Sequence, residues 1–146
     1  MSYAAHLVAV LIGAGLTIQV GVNALAGQRL GSPLLASALN FAVGLLALVA
    51  VAFASGTRLP GGSLSNLPPW LWIGGLLGAT YVAATTVLGP RLGAAALLAL
   101  TLAGQLAAAA VVDHYGAIGF PQHTFTWERA VGLALLVAGT LLIVRR

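Results

Sequence analysis

The chain contains no cysteine, no lysine, one aspartate and one glutamate in 146 residues. Without cysteine there is no disulfide, no thiol nucleophile and no Cys-based metal site. Charged residues make up 5% of the chain, against about 25% in an ordinary soluble domain. That is too little charge to cover a water-facing surface, so the outside must face lipid. The six arginines and the pI near 10.8 raise the question of nucleic acid. A nucleic-acid surface needs clustered Lys and Arg, however, and these arginines are scattered between apolar runs as boundary markers. Enzymatic constellations are also missing: there is no Ser/His/acid set, no His pair at metal spacing and no glycine-rich phosphate loop. The glycines fall inside apolar helices, where GxG-type matches carry no weight. The expectation is a membrane protein that is not an enzyme, with no cofactor, no metal and no nucleic-acid partner.

What is present is apolar. Hydrophobic residues make up 60% of the chain and the mean hydropathy is +1.05. A bilayer-spanning helix needs roughly 20 mostly apolar residues, and five runs qualify: about Ala4–Ala26, Pro33–Ala54, Trp70–Gly89, Leu92–Asp113 and Arg129–Val144. The breaks between them, "GQRLGSP", "SGTRLPGGSLSNLPP", "GPRLG" and "DHYGAIGFPQHTFTWER", are turn-like and carry charge. Pro33, Pro69 and Pro90 suit helix starts or stops, and the short "GPRLG" predicts a tight hairpin of the third and fourth runs. Trp70, Trp72 and Trp127 lie at run edges, where amphipathic rings favour the headgroup layer. The first run lacks a basic leader region and is too long for a signal-peptide core, so it reads as a mature span. The fold expected is all-α, a single transmembrane domain of five helices, and its loops are too short for a soluble domain.

Five spans put the termini on opposite faces. Arg58 and Arg129 fall on the N-terminal side; Arg29, Arg91, Arg145 and Arg146 fall on the C-terminal side. The positive-inside rule then favours a cytoplasmic C-terminus, but by two arginines only, both at the tail. Two readings follow: a single N-out/C-in orientation, or insertion both ways with pairing as an antiparallel dimer.

Polar side chains inside hydrocarbon are expensive without partners, so they face protein or a wet cavity. The first span holds Thr17, Gln19 and Asn23, the last two on one helical face a turn apart. The second holds Asn40, the third Thr80, Tyr81, Thr85 and Thr86, and the fourth Thr101 and Gln105, again four apart. This lining contains amides, hydroxyls and a phenol, with no carboxylate at mid-depth. For Asn40 and the threonines the simpler role is interhelical hydrogen-bond glue, since Thr also bonds its own helix backbone. For Gln19, Asn23 and Gln105 a shared polar cavity accounts better for bulky amides where small residues would pack.

Gly74 and Gly78 in the third span, and Gly132, Ala134, Ala138 and Gly139 in the fifth, form smooth faces that serve helix packing within or between protomers. Asp113 and His114 end the fourth span. An acid at a helix C-terminus opposes the macrodipole, so a partner is expected among Arg29, Arg58 and Arg129. The competing role is a proton acceptor or gate, since His titrates near neutral pH. Glu128 and Arg129 open the fifth span as boundary residues.

With these residues in view, "QVGVNALAGQRLGSPLLASALNFAVGLLAL", "PPWLWIGGLLGATYVAATTVLGPRLGAAALLALTLAGQLAAAAVVDHYGAIG" and "RAVGLALLVAGTLLIV" resemble the YdcZ-like family of the drug/metabolite transporter superfamily, over nearly the whole chain. The most specific pieces are the Gln19–Asn23 spacing, "PWLWIGG" and "GQLAAAAVVDHYG". Where many members carry a serine after the GQ motif, this chain has alanines. The resemblance implies five-helix proteins acting as paired or dual-topology halves of a transporter, with poorly defined substrates. The distantly related small multidrug resistance proteins couple drug export to protons through a glutamate in the first helix. This chain has no acid there, which disfavours cationic-drug/proton exchange.

The expectation is therefore a bacterial inner-membrane protein, forming with an identical or related chain an antiparallel dimer, a ten-helix inverted-repeat bundle around a midplane site. It would move a small neutral or zwitterionic solute. Gln19, Asn23, Asn40, Tyr81, Thr101 and Gln105 are the expected substrate-binding residues, and Asp113 with His114 the expected coupling or gating group. The alternatives are a dual-topology channel for a small ion or neutral solute, or a non-transporting assembly subunit.

Overall fold

The computed structural model describes residues 3–57 and 67–145. Arg58 and Arg146, which enter the orientation count, and most of the second loop lie outside the described residues. The described residues form helices, with no strand among them: α1 (Tyr3–Leu30), α2 (Pro33–Ala54), α3 (Ile73–Leu92), preceded by a 3-10 turn at Pro69–Trp72, α4 (Ala94–Tyr115) and α5 (Trp127–Val144). Five segments, with that turn joined to α3, are long and apolar enough to cross a membrane.

Chain chemistry explains the ends of these helices. The first run was expected to stop near Ala26, yet α1 continues to Leu30. Leaving hydrocarbon does not break the backbone ladder, so Gln28 and Arg29 stay helical and Arg29 sits in the last turn, where a cation suits the dipole. Gly31 then takes φ +67, and Ser32 caps α2 by accepting from the Leu35 amide at 3.3 Å, with Pro33 at the first helical position. Pro90 does not stop α3, which runs two residues further. The break falls at Gly93 instead, whose φ of +80 glycine adopts without strain. The link from α3 to α4 is thus a single residue. Thr126 caps α5 by accepting from the Arg129 amide at 3.5 Å.

The chain divides into two compact units, Met1–Arg91 and Leu92–Arg146. In the first, Gln19 meets Asn40, and a β-carbon on Gly27 would lie 3.4 Å from Pro33 Cα. Moving from 19 to 27 along α1 corresponds to moving from 40 to 33 along α2, so the two helices are antiparallel and Asn23 lies level with Ala36 and Ser37. Helix α3 packs on the same pair: Gly78 accommodates the Phe41 ring, and the Thr86 methyl reaches Gly27. Gly27 was not singled out in the sequence, yet it lies against both Pro33 and Thr86. In the second unit, α4 and α5 form a hairpin joined toward its open end by Thr140, whose hydroxyl donates to the Ala99 carbonyl at 3.4 Å. The buried apolar residues are few: Val20, Ala36, Ala96 and Leu97. Large side chains such as Leu46, Leu76 and Leu142 are about 70% exposed, at 69%, 69% and 72%. An inside-poor, outside-greasy distribution is what a lipid solvent allows.

Candidate functional site: amides and hydroxyls within the spans

Within the first unit the polar side chains stack in layers between the helices. In one layer the Gln19 Nε2 donates to Asn40 Oδ1 at 3.1 Å, tying α1 to α2. Beside this pair opens a groove of about 480 Å³ whose remaining walls are Phe41, Val43, Gly44, Leu45 and Leu48. One turn further along α1 lies Asn23, only 6% exposed. In the next layer Ser37, Thr85 and Thr86 are all buried. The Ser37 hydroxyl donates to the Pro33 carbonyl at 2.9 Å and lies 3.5 Å from the Thr86 hydroxyl, which itself donates to the Val82 carbonyl at 2.7 Å.

The threonines behave as self-satisfied groups. Thr17, Thr80, Thr85, Thr86 and Thr101 each donate to a carbonyl three or four residues back on their own helix. The hydroxyl proton is thereby used locally, and the oxygen remains an acceptor. Tyr81 is half-buried on α3 and Thr101 half-buried on α4. Gln105 is exposed on α4. Of the six residues expected to bind substrate, Gln19 and Asn40 are thus brought into contact and Asn23 shares their seam, while Thr101 and Gln105 belong to the second unit. Ser37 and Thr140 were not anticipated. Ser37 was detectable as the residue three before Asn40, on the same helical face.

In the second unit the polar chemistry lies at one end. Arg129 Nη1 pairs with Asp113 Oδ2 at 3.2 Å, with both side chains partly exposed. Arg129 is one of the three partners the macrodipole argument named. The loop from Gly116 to Thr126 folds back on the same end. The Asp113 carbonyl accepts from the His123 amide at 2.8 Å, the His114 carbonyl accepts from Gln122 Nε2 at 3.0 Å, and His114 Nδ1 accepts from the Phe125 amide at 3.2 Å. Two open grooves flank this end. One, of about 500 Å³, is lined by His114, Tyr115 and Phe125; the other, of about 330 Å³, by Asp113, Arg129 and Gly132. Among the described residues no His, Asp or Glu cluster is arranged to hold a metal ion.

Five apolar helices with neutral polar groups within the spans and an ion pair at a helix end define a multi-pass membrane protein. Residues 4–142 match the family model described as "Putative inner membrane exporter, YdcZ". The chain belongs to that family and is a multi-pass inner-membrane protein. It is 32% identical over 135 residues to the inner membrane protein YdcZ of Escherichia coli strain K12, covering 92% of this chain and 90% of the relative. No solved structure matches the chain.

Proposed function

We propose that the protein exports or exchanges a small neutral or zwitterionic solute across the bacterial inner membrane, working as an antiparallel dual-topology dimer with an uncharged polar site near the midplane. The observation that carries this reading is the Gln19–Asn40 amide pair, set in the middle of two spans beside a groove of about 480 Å³. That volume falls within the range of about 300–1,000 Å³ common to small-molecule sites. The family description as an inner membrane exporter supports transport. The five spans support the dimer: an odd number leaves one chain without an inverted repeat of itself, and a second chain inserted upside down supplies it. In this reading Gln19, Asn23, Asn40, Tyr81, Thr101 and Gln105 donate and accept hydrogen bonds to solute. Asp113 and His114 gate one mouth, because opening it requires the ion pair and the loop bonds at that end to part.

The test is flux in proteoliposomes against a panel of neutral and zwitterionic solutes. Saturable exchange by the wild type is expected, with at least a tenfold loss when Gln19, Asn23 and Gln105 are replaced together by leucine. A triple variant that is equally well inserted and moves the same solute at the wild-type rate would sink the midplane site. Reporter fusions at the C-terminus test the pairing separately: signal on both faces is expected, and display on a single face would end the homodimeric version.

A further inference from the structure

Gln105 stands at the centre of α4, the twelfth of its 22 residues. At about 1.5 Å per residue the helix is about 33 Å long, close to the roughly 30 Å of hydrocarbon in a bilayer. There is little room to slide, so the centre of α4 lies near the centre of the membrane. The Gln105 side chain is exposed there and makes no hydrogen bond to another described residue. Thr80, also exposed, spends its proton on the Leu76 carbonyl. A bare amide, with two donors and two acceptor lone pairs, is expensive in oil. Helix α5 lies on another side of α4: Leu106, Ala110 and Asp113 share a groove with Arg129 and Gly132, and Ala99 takes the Thr140 bond. Gln105 instead shares its face with Leu98 and Val112, each seven residues or two turns away. Ala108 and Ala109, exposed beside it, are small enough for another helix to come close.

Resting on the antiparallel dimer of the reading above, we propose that this face of α4 is where two copies of the chain meet, and that Gln105 bonds the partner's Gln105. In an inverted pair the twofold axis lies in the midplane of the membrane. A residue at that depth on the contact face therefore meets its own copy, and one above the axis meets one equally far below it. An amide suits the axis because it donates and accepts at once. Two identical amides exchange two hydrogen bonds, whereas two hydroxyls share one and two like charges repel. Each Gln105 keeps one N–H and one lone pair free, so the pair still serves a solute, and this part of the site is complete only with both copies. The register follows. Leu98 lies opposite the partner's Val112, and about 21 Å along the axis from the partner's Leu98.

The test uses the lack of cysteine in the chain. Leu98→Cys and Val112→Cys are made separately, with Gln105 intact and different tags, and treated in native membranes with a short bis-maleimide that bridges facing residues only. A cross-linked dimer carrying both tags is expected when the two are co-expressed, and none from either variant alone. Gln105→Leu is expected to weaken dimerisation in detergent about tenfold. Gln105→Glu is expected to dimerise at acid pH, where two protonated carboxyls exchange the same two bonds, and to dissociate at alkaline pH, where the carboxylates repel. Cross-linked dimers of Leu98→Cys alone or Val112→Cys alone would mean parallel packing, and would overturn both this contact and the pairing it rests on. No cross-link in any combination overturns the contact; C-terminal reporters on both faces would then leave antiparallel pairing standing through another surface, and reporters on one face would end that as well. Undiminished dimerisation of Gln105→Leu, or a Gln105→Glu dimer indifferent to pH, would overturn the amide pair.

Discussion

The two units solve the problem of polar groups in oil in opposite ways. Residues 1–91 contain no acid and place amides and hydroxyls within the helices, where Asn23, Ser37, Thr85 and Thr86 are buried. Residues 92–146 contain both acids of the chain, and the one with an arginine partner sits at the end of α4. The difference follows from what each group needs. A neutral amide needs hydrogen-bond partners, which a neighbouring helix or a solute supplies at any depth. A charge at the centre of a span costs roughly 2.5–3.5 kcal/mol on the insertion scale, so it migrates to a helix end where a counter-ion and loop amides wait. On the proposed function, the first unit serves recognition and the second closure.

The contrast is sharpest in packing. Gly27 lies against Pro33 and Thr86, with only ordinary contact distance left for a methyl group, whereas Gly132 and Gly139 meet nothing within 4 Å. Gly27→Leu is expected to destabilise the protein by about 1–3 kcal/mol through overpacking, measured as the midpoint of denaturant unfolding in detergent. Gly132→Leu is expected to change that midpoint little. If Gly132→Leu instead disrupts a dimer without lowering monomer stability, the open α5 face is a protomer interface. If both variants behave alike as monomers, the contrast in packing fails.

The next effect is smaller. Gln19→Leu and Asn40→Leu are each expected to cost about 1 kcal/mol, with a coupling in the double-mutant cycle of about 0.6 and at most about 1.7 kcal/mol. Zero coupling would mean that the pair is open in solution, with both amides turned to the groove. Below this comes the ion pair. Asp113→Asn and Arg129→Gln are expected to cost less than about 1 kcal/mol, falling further as salt is raised, because both partners are partly exposed. Their larger signature is expected in flux, as leak through an unlatched mouth. Wild-type gating in both variants would remove Asp113 from the mechanism.

Much of this organisation was legible before coordinates because hydropathy periods, caps and breakers act locally. The start of α2 was read from Pro33, whereas that of α5 was placed at about Arg129, two residues inside its Trp127 start, and the need of Asp113 for a partner came from the helix dipole alone. Pro90 misled, since a proline within the last turn forfeits little of the helix ladder and the glycine after it makes the true break. Amide pairing was beyond reach for a different reason. Spacing puts Gln19 and Asn23 on one face of α1, but which of them meets Asn40 depends on the register of α1 against α2. That register is set by the Gly31–Ser32 turn and the fit of Pro33 on Gly27. The sequence reading therefore treated as one lining six residues that differ in state: two mutually bonded, one buried, one spent on its own backbone, one half-buried and one exposed.

The smallest expected effect discriminates most finely between glue and site. Thr80 and Thr101 donate to Leu76 and Leu98 on their own helices, at 2.8 and 3.1 Å, so neither proton is available to a neighbour. Valine keeps the shape and removes only this local bond, whose loss a helix in lipid absorbs because the carbonyl concerned remains in the backbone ladder. Thr80→Val and Thr101→Val are therefore expected within about 0.5 kcal/mol of wild type in stability, and Thr80→Val also at wild-type flux. Thr101 is the more telling of the two, because it shares its face of α4 with Gln105. If Thr101→Val leaves stability unchanged but lowers flux as far as Gln105→Leu does, its oxygen accepts from solute, and the second unit contributes to recognition as well as closure. If flux is also unchanged, recognition stays with the first unit, and the division of labour between amides and charges stands.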